Sequence, residues 1–217
     1  MDGDEDYAPL ELELAARALQ NWENETAAKE AEPYLEADDD ETRLEAHRIS
    51  GLAHFRLKNY GQSLVHHRTV TEMQDSLSAW FNVVTSATLA GEVKEGERAM
   101  KRAVRAPFRA DNPDTNEPAL RFQYATALSS MNEHRRAMAQ IDQVVQYYGI
   151  TDMTYLMMRG MPTFESTLEI AMSAFRGLGD SFDGDGWLAR LSENVDEEGK
   201  EYLTECRAAL KTEGKPG

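Results

Sequence analysis

One stretch, at residues 51–64, reads Gly51-Leu-Ala-His-Phe-Arg-Leu-Lys-Asn-Tyr-Gly-Gln-Ser63-Leu and recurs twice in degenerate form along a 217-residue chain. The second copy is Val84-Thr-Ser-Ala-Thr-Leu-Ala-Gly-Glu-Val-Lys-Glu-Gly96-Glu, and the third is Ala125-Thr-Ala-Leu-Ser-Ser-Met-Asn-Glu-His-Arg-Arg-Ala137-Met. The copies begin 33 and 41 residues apart. A period in the thirties is typical of stacked helical hairpins, so the repeat predicts an all-α array.

Small residues recur at two positions of the repeat. They lie in the first helix at Gly51 and Ala125, where the second copy departs with Val84, and in the second helix at Ser63, Gly96 and Ala137. Small residues that face each other let the backbones of two helices approach closely. With Trp80 in the second repeat, four residues before Val84, this pattern resembles the tetratricopeptide repeat (TPR) family. The resemblance covers residues 44 to about 149. It implies a right-handed α-solenoid of antiparallel helical hairpins, whose first helices line a concave groove.

The pattern also predicts how the chain is organised. We expect an acidic, disordered N-terminus at 1–6 and a TPR-like region at 7–149, with an N-terminal hairpin and repeats near 43–74, 77–106 and 118–148. In the hairpin, leucines and alanines over 10–19 suit one helical face, and a second helix follows over 25–35. The capping-box spacing Thr42-Arg-Leu-Glu45 predicts a helix start near Thr42. A degenerate repeat and capping helices over 150–212 precede a disordered tail at 213–217. Within them, 181–186 is predicted as a loop.

The charge balance limits the classes of partner. The net charge is −16, with acid concentrated near the N-terminus, at 36–41 and at 193–201. Binding to nucleic acid needs the opposite balance, and anionic membrane surfaces are disfavoured for the same reason. A basic protein partner would be steered toward this surface, or the acid serves only to keep the array soluble.

Cysteine content and hydropathy bear on the compartment. Cys206 is the only cysteine, so a disulfide within the chain is excluded. The acidic N-terminus lacks a signal-peptide pattern, and no apolar run is long enough to span a bilayer. These features predict a cytoplasmic protein. Cys206 itself falls on the apolar stripe of the last helix, which predicts a buried residue rather than a nucleophile.

The TPR resemblance implies which residues line the groove: Arg48, Leu52, Phe55, Phe81, Asn82, Thr85, Phe122, Gln123 and Thr126. Phe81 and Phe122 would hold apolar side chains of a peptide, while Asn82 and Gln123 would pair with its backbone. The alternative is that the two phenylalanines pack between hairpins. A carboxylate-clamp site is not predicted, since only Arg48 and Asn82 match its five positions.

Residues that could carry chemistry are few. His54 and His67 are expected to meet across the first hairpin, and His66 to point outward. Without a clear third ligand, the pair predicts polar packing rather than a metal site. Asp183-Gly-Asp-Gly186 lacks the further oxygen ligands of a calcium loop and predicts a solvated turn. Neither a phosphate-binding glycine loop nor a nucleophile elbow occurs, so no cofactor and no catalysis are predicted.

The sequence therefore predicts a non-catalytic scaffold or adaptor that binds a partner protein or peptide in the groove, principally through Phe81, Asn82 and Phe122. One alternative is a structural protein that self-associates through the C-terminal segment, which includes the methionine-rich stretch 153–161. Another is a metal-dependent enzyme or sensor built on His54 and His67.

Overall fold

The structure is a computed structural model that describes residues 9–105, 116–148 and 160–213. Within these ranges the chain forms helices and no strands. It divides into two compact units, Met1–Arg109 and Ala110–Gly217, and each is described by itself. None of the described helices is both long and apolar enough to cross a bilayer. The predicted domain boundaries near 7, 149 and 213 fall on or beside residues outside the described ranges and stay predictions.

Within its described residues, 9–105, the first unit forms three helical hairpins. Its helices are α1 (Glu13–Gln20), α2 (Asn24–Ala31), α3 (Asp40–Arg56), α4 (Tyr60–Met73), α5 (Leu77–Leu89) and α6 (Val93–Ala103). Short 3-10 helices lie before α1 (Leu10–Leu12) and after α2 (Glu32–Tyr34). Each α-helix packs against the next along the chain. The repeats predicted near 43–74 and 77–106 correspond to α3–α4 and α5–α6, which begin and end within three residues of the predicted bounds.

Among its described residues, the second unit contains a fourth hairpin and three further α-helices, with short 3-10 helices at Gly179–Ser181 and Ser192–Asn194. The α-helices are α7 (Glu117–Ser130), α8 (His134–Tyr148), α9 (Phe164–Leu178), α10 (Gly184–Leu191) and α11 (Glu197–Glu213). The α9 helix packs on α7 and α8, and α11 packs on α9 and α10. Leu203 and Cys206 of α11 are buried, as predicted for a terminal helix that covers an apolar face. Met161 is buried too, whereas the methionines at 153, 157 and 158 lie outside the described residues.

All four hairpins share one turn. Three residues link the two helices, and the middle one has a positive φ: Trp22 (64°), Lys58 (62°), Gly91 (87°) and Asn132 (60°). The amide of the third linking residue donates to a carbonyl five residues earlier at 2.8–2.9 Å. This bond satisfies a carbonyl that the helix end leaves unpaired. The N-terminal hairpin α1–α2 is thus built like the other three.

Close crossings inside the hairpins follow from the predicted small residues. A Cβ added to Gly96 of α6 would lie 3.2 Å from the carbonyl oxygen of Val84 and 2.3 Å from the Thr88 hydroxyl of α5. At Gly51 of α3, an added Cβ would lie 2.5 Å from the His67 ring of α4. Side chains larger than these would force the helices apart.

The N-terminal hairpin differs from its prediction. Residues 10–12 form a 3-10 helix rather than the start of α1, so the leucines do not share one face. Leu12 is fully buried among alanines of α1–α3, but Leu10 and Leu14 are 82% and 64% exposed. The predicted helix over 25–35 also ends earlier, at Ala31, and Pro33 lies in the short 3-10 helix that follows.

Two helix starts lie upstream of their predicted positions. Asp39, not Thr42, caps α3: its carboxylate accepts a 2.8 Å hydrogen bond from the Thr42 amide, so the helix begins at Asp40. That bond also lowers the pKa of Asp39. Asp183 likewise accepts from the Gly186 amide at 2.8 Å, so α10 begins at Gly184 inside the predicted loop 181–186. An N-cap aspartate satisfies one of the amides that a helix start leaves unpaired.

Candidate interaction surface

The α3 helix of the first unit presents a partly exposed stripe. Arg48, Leu52 and Phe55 are spaced four and three residues apart, so they lie on one helix face. Leu52 is 37% exposed, which is high for a leucine in the middle of a packed helix. The Arg48 guanidinium pairs with Glu45 at 3.2 Å and also bonds the side chain of Gln74. The predicted groove residues of α3 therefore form an apolar centre with a charged edge.

On α5 the predicted residues divide into two groups. Phe81 and Asn82 are half-buried, and their side chains are partly accessible. Thr85 does not fit the prediction, because it is only 7% exposed. Its hydroxyl lies 3.3 Å from the carbonyl oxygens of Phe81 and Asn82, to which it donates within its own helix. Thr85 is thus buried and bonded within its own helix, and it does not line a binding face.

The second unit holds the remaining predicted residues on α7. Gln123 is exposed, while Phe122 and Thr126 are half-buried. The Thr126 hydroxyl donates to the Phe122 carbonyl at 2.9 Å, so its hydrogen-bonding capacity is partly used inside the helix. Phe81 and Phe122 belong to different units. That they line one groove stays a prediction.

Trp80, one of the residues that resemble the TPR pattern, is fixed by contacts with Asp75, in the link between α4 and α5, and with Arg102 of α6. Its indole Nε1 donates to Asp75 at 2.6 Å, and the Arg102 guanidinium lies 5.9 Å from the ring centroid. Arg102 also pairs with Asp75 at 2.7 Å. The indole bond is the largest cause of the lowered pKa of the Asp75 carboxyl. The half-buried Trp80 thus connects α5 to the link that precedes it.

The histidines of the first repeat pair differently from the prediction. His66, expected to point outward, faces α3: its ring stacks on His54 at 5.5 Å, and its Nδ1 lies 3.1 Å from His47 Nδ1. Burial is the main cause that lowers the pKa of His66 to about 4, and His47 and His54 lower it further. Protonation of one of these histidines disfavours protonation of its neighbours, because like charges repel.

His67 lies in a separate polar cluster between α4 and α5. Its Nδ1 is 3.0 Å from the Ser86 hydroxyl and 3.3 Å from the Ser63 hydroxyl, and the two hydroxyls are 2.9 Å apart. Burial lowers the pKa of His67 to about 4. Ser63 and Ser86 are fully buried, so neither hydroxyl is open to a substrate. This serine–histidine cluster joins α4 to α5.

The metal hypothesis named His54 with His67, but the ring that meets His54 is His66. Among the described residues, no three histidine, cysteine or acidic side chains lie where they could hold a metal ion together. In Asp183-Gly-Asp-Gly186, Asp183 caps α10 and Asp185 forms a two-point ion pair with Arg207, with both distances 2.9 Å. Asp183 therefore serves as a helix cap and Asp185 as an ion-pair partner. Cys206 is buried, and burial raises the pKa of its thiol.

Comparison with known proteins indicates which fold these packed helical hairpins form. No protein-family profile matches the chain, and no curated protein matches it. Among solved structures, the chain is similar to the crystal structure of the MamA protein, with a TM-score of 0.58 and 13% sequence identity. The match covers 88% of this chain and 93% of that chain. MamA contains tetratricopeptide repeats, and the likeness supports a TPR-like helical repeat fold for this chain.

Proposed function

We propose that this chain is a non-catalytic protein–protein interaction scaffold that binds a partner protein or peptide on the exposed faces of α3, α5 and α7. We further propose that these helices belong to a right-handed solenoid and that its concave groove is the binding site. A fold of this kind favours protein partners in general. The net charge of −16 favours a basic partner over nucleic acid or an anionic membrane, and we propose a cytoplasmic setting.

The observation that carries the proposal is the stripe on α3. Leu52 is exposed although the same helix buries Ile49, Ser50 and Ala53 against its neighbours. An accessible leucine between an arginine and a half-buried phenylalanine offers an apolar contact with a polar edge. Phe81 and Asn82 on the next repeat's first helix add an aromatic face and an amide. These five side chains can hold an extended or helical peptide without any chemistry.

A matched pair of variants tests the surface. Leu52 of α3 and Val65 of α4 are both exposed aliphatic residues, at 37% and 56%. Partners captured from source-cell lysate are identified, purified and titrated against wild type, Leu52→Arg and Val65→Arg. We expect Leu52→Arg to weaken binding about tenfold, because it places a charge in the apolar centre of the site. Val65→Arg, on the second helix of the same hairpin, should bind like wild type.

Equal loss of binding in both variants would place the site elsewhere or show a general effect. Retention by Leu52→Arg would remove the α3 stripe from the proposal. The double variant Phe81→Ala/Asn82→Ala extends the test to α5, with circular dichroism to establish that helix content is intact. The alternative function is self-association through the C-terminal segment, and a mass that rises with concentration would favour it.

A further inference from the structure

The outer face of α6 carries a stripe of positive charge. Its members are Lys94, Arg98, Lys101 and Arg105, all exposed. They follow one another at intervals of four, three and four residues, so Lys94, Arg98 and Lys101 lie in one row along α6 and Arg105 continues it in the turn just after the helix ends. At 1.5 Å per residue the row is about 16 Å long. We call these four residues the basic stripe.

The basic stripe lies on a firmly seated helix. The opposite face of α6 is formed by Gly96, Ala99, Met100 and Ala103, which are all buried. Gly96 in particular sits against the backbone of α5. The charged side chains are therefore displayed by a fixed element, and substitutions in the row do not touch the packed face.

The charge of this segment contrasts with that of the whole chain. From Val93 to Arg105 there are five basic residues and two acidic ones, whereas the chain has 23 basic and 39 acidic residues. Nearby carboxylates are already engaged. Glu95 bonds Arg68 of α4 at 2.5 and 2.7 Å, and Glu97 pairs with Lys101 at 2.8 Å. In the described part of the chain, Lys94, Arg98 and Arg105 form no ion pair.

Helix stability does not account for the whole row. Cations near the C-terminus of a helix are favoured by its dipole, which suits Lys101 and Arg105. Lys94 lies in the first turn, where the same dipole disfavours a cation. Arg98 lies in the middle and gains little from either end. A row that continues into the unfavourable end of the helix points to a role outside α6.

We propose that the basic stripe binds an acidic, Asp/Glu-rich segment of a partner protein. About five residues of extended peptide span its length, and each guanidinium can hold a carboxylate through two parallel hydrogen bonds. The chain's net charge of −16 opposes the approach of a long polyanion such as nucleic acid more strongly than that of a short acidic segment. This surface is separate from the stripe on α3 and does not depend on it.

The test uses fluorescence anisotropy with the full chain and a labelled peptide of about eight residues, half of them Asp or Glu. The reference is the same peptide with Asn and Gln in place of the acids. Lys94→Glu/Arg98→Glu reverses two charges of the basic stripe. Arg135→Glu/Arg190→Glu reverses two exposed arginines of the second unit and changes the net charge equally. We expect the first variant to bind the acidic peptide about tenfold more weakly and the second to stay near wild type.

Binding of the acidic peptide should also weaken when the salt concentration is raised from about 50 to about 300 mM, because exposed charges are screened. Several results would overturn the proposal. The wild type could bind the two peptides equally, or the two charge-reversal variants could lose the same affinity, which would indicate net charge alone. Tighter binding of an oligonucleotide of equal charge would assign the basic stripe to nucleic acid instead.

Discussion

At the residue scale, four amino acids occupy the same strained position. Trp22, Lys58, Gly91 and Asn132 all adopt a positive φ between two helices of a hairpin. Glycine adopts this conformation freely and asparagine tolerates it, whereas a lysine or tryptophan does so at a cost of about 1 kcal/mol. The tryptophan is partly compensated, since the Arg56 guanidinium lies 4.2 Å from its ring centroid and donates to the Leu19 carbonyl at 2.7 Å.

Exchanges at this position should therefore have opposite effects. Lys58→Gly is expected to raise the free energy of unfolding by about 0.5–1 kcal/mol, because it removes the backbone strain. Gly91→Ala is expected to lower it by about 1 kcal/mol. A Cβ at Gly91 would meet no atom within 4 Å, so steric contact does not contribute. Urea denaturation measures both changes, and effects of the same sign would contradict the shared turn.

At the element scale, the contrast between His66 and His67 shows what the sequence could and could not predict. The end predicted for the first repeat, near 74, lies within one residue of the end of α4, because the pattern of small and apolar residues is local. The pattern did not predict that His66 stacks on His54 of α3 while the Nδ1 of His67 bonds Ser86 of α5, since that depends on how three helices cross. The same limit explains Thr85, which the TPR resemblance placed in the groove although its side chain is buried.

These histidines should make the first repeats sensitive to acid. The pKa values of His66 and His67 are lowered to about 4, and those of His47 and His54 are also lowered, mainly by burial. Glu36 raises the pKa of His47, while Arg43 lowers it. No other carboxylate shifts the pKa of any of the four histidines. The unfolded chain, with pKa near 6.5, therefore binds more protons than the folded one below that pH.

Stability should be fully present above about pH 6.5 and decline as the pH falls toward about 4. The slope should reach about 1.4 kcal/mol per pH unit for buried His67 and less for the partly exposed His66. Urea denaturation between about pH 7.5 and about 5.5 isolates this effect, because carboxylates titrate lower. A His66→Gln/His67→Gln variant should show a shallower decline. Unchanged stability across the window would contradict the neutral, buried histidines.

At the scale of the whole molecule, the repeats account for most of what the sequence predicted. The helices of the central repeats lie close to their predicted positions, since small residues at fixed spacing imply both the helices and their crossing. The ends were less predictable. At the N-terminus, Leu10 and Leu14 are exposed because a 3-10 turn breaks the helical period. Near the C-terminus, Asp183 starts a helix where the glycines indicated a loop. The nine groove residues depend on a fold-level resemblance, which cannot distinguish an accessible side chain from a half-buried one.

The first unit should fold without the rest of the chain. In a helical repeat, stability is a sum of each hairpin and its nearest-neighbour interfaces, and α1–α6 form five consecutive interfaces within this unit. A fragment of residues 1–109 is therefore expected to show cooperative urea unfolding by circular dichroism.

A shorter fragment ending at residue 74 provides the matched comparison. It lacks α5, which covers the Ser63–His67 cluster and supplies Ser86 as its partner. Without this cover, buried apolar surface of α4 such as Val70 also becomes accessible, so its stability should be lower by on the order of 2 kcal/mol or more. If the longer fragment were unfolded, or the shorter one equally stable, stability would not be additive along the stack, and each repeat's contribution would have to come from contacts beyond its neighbours.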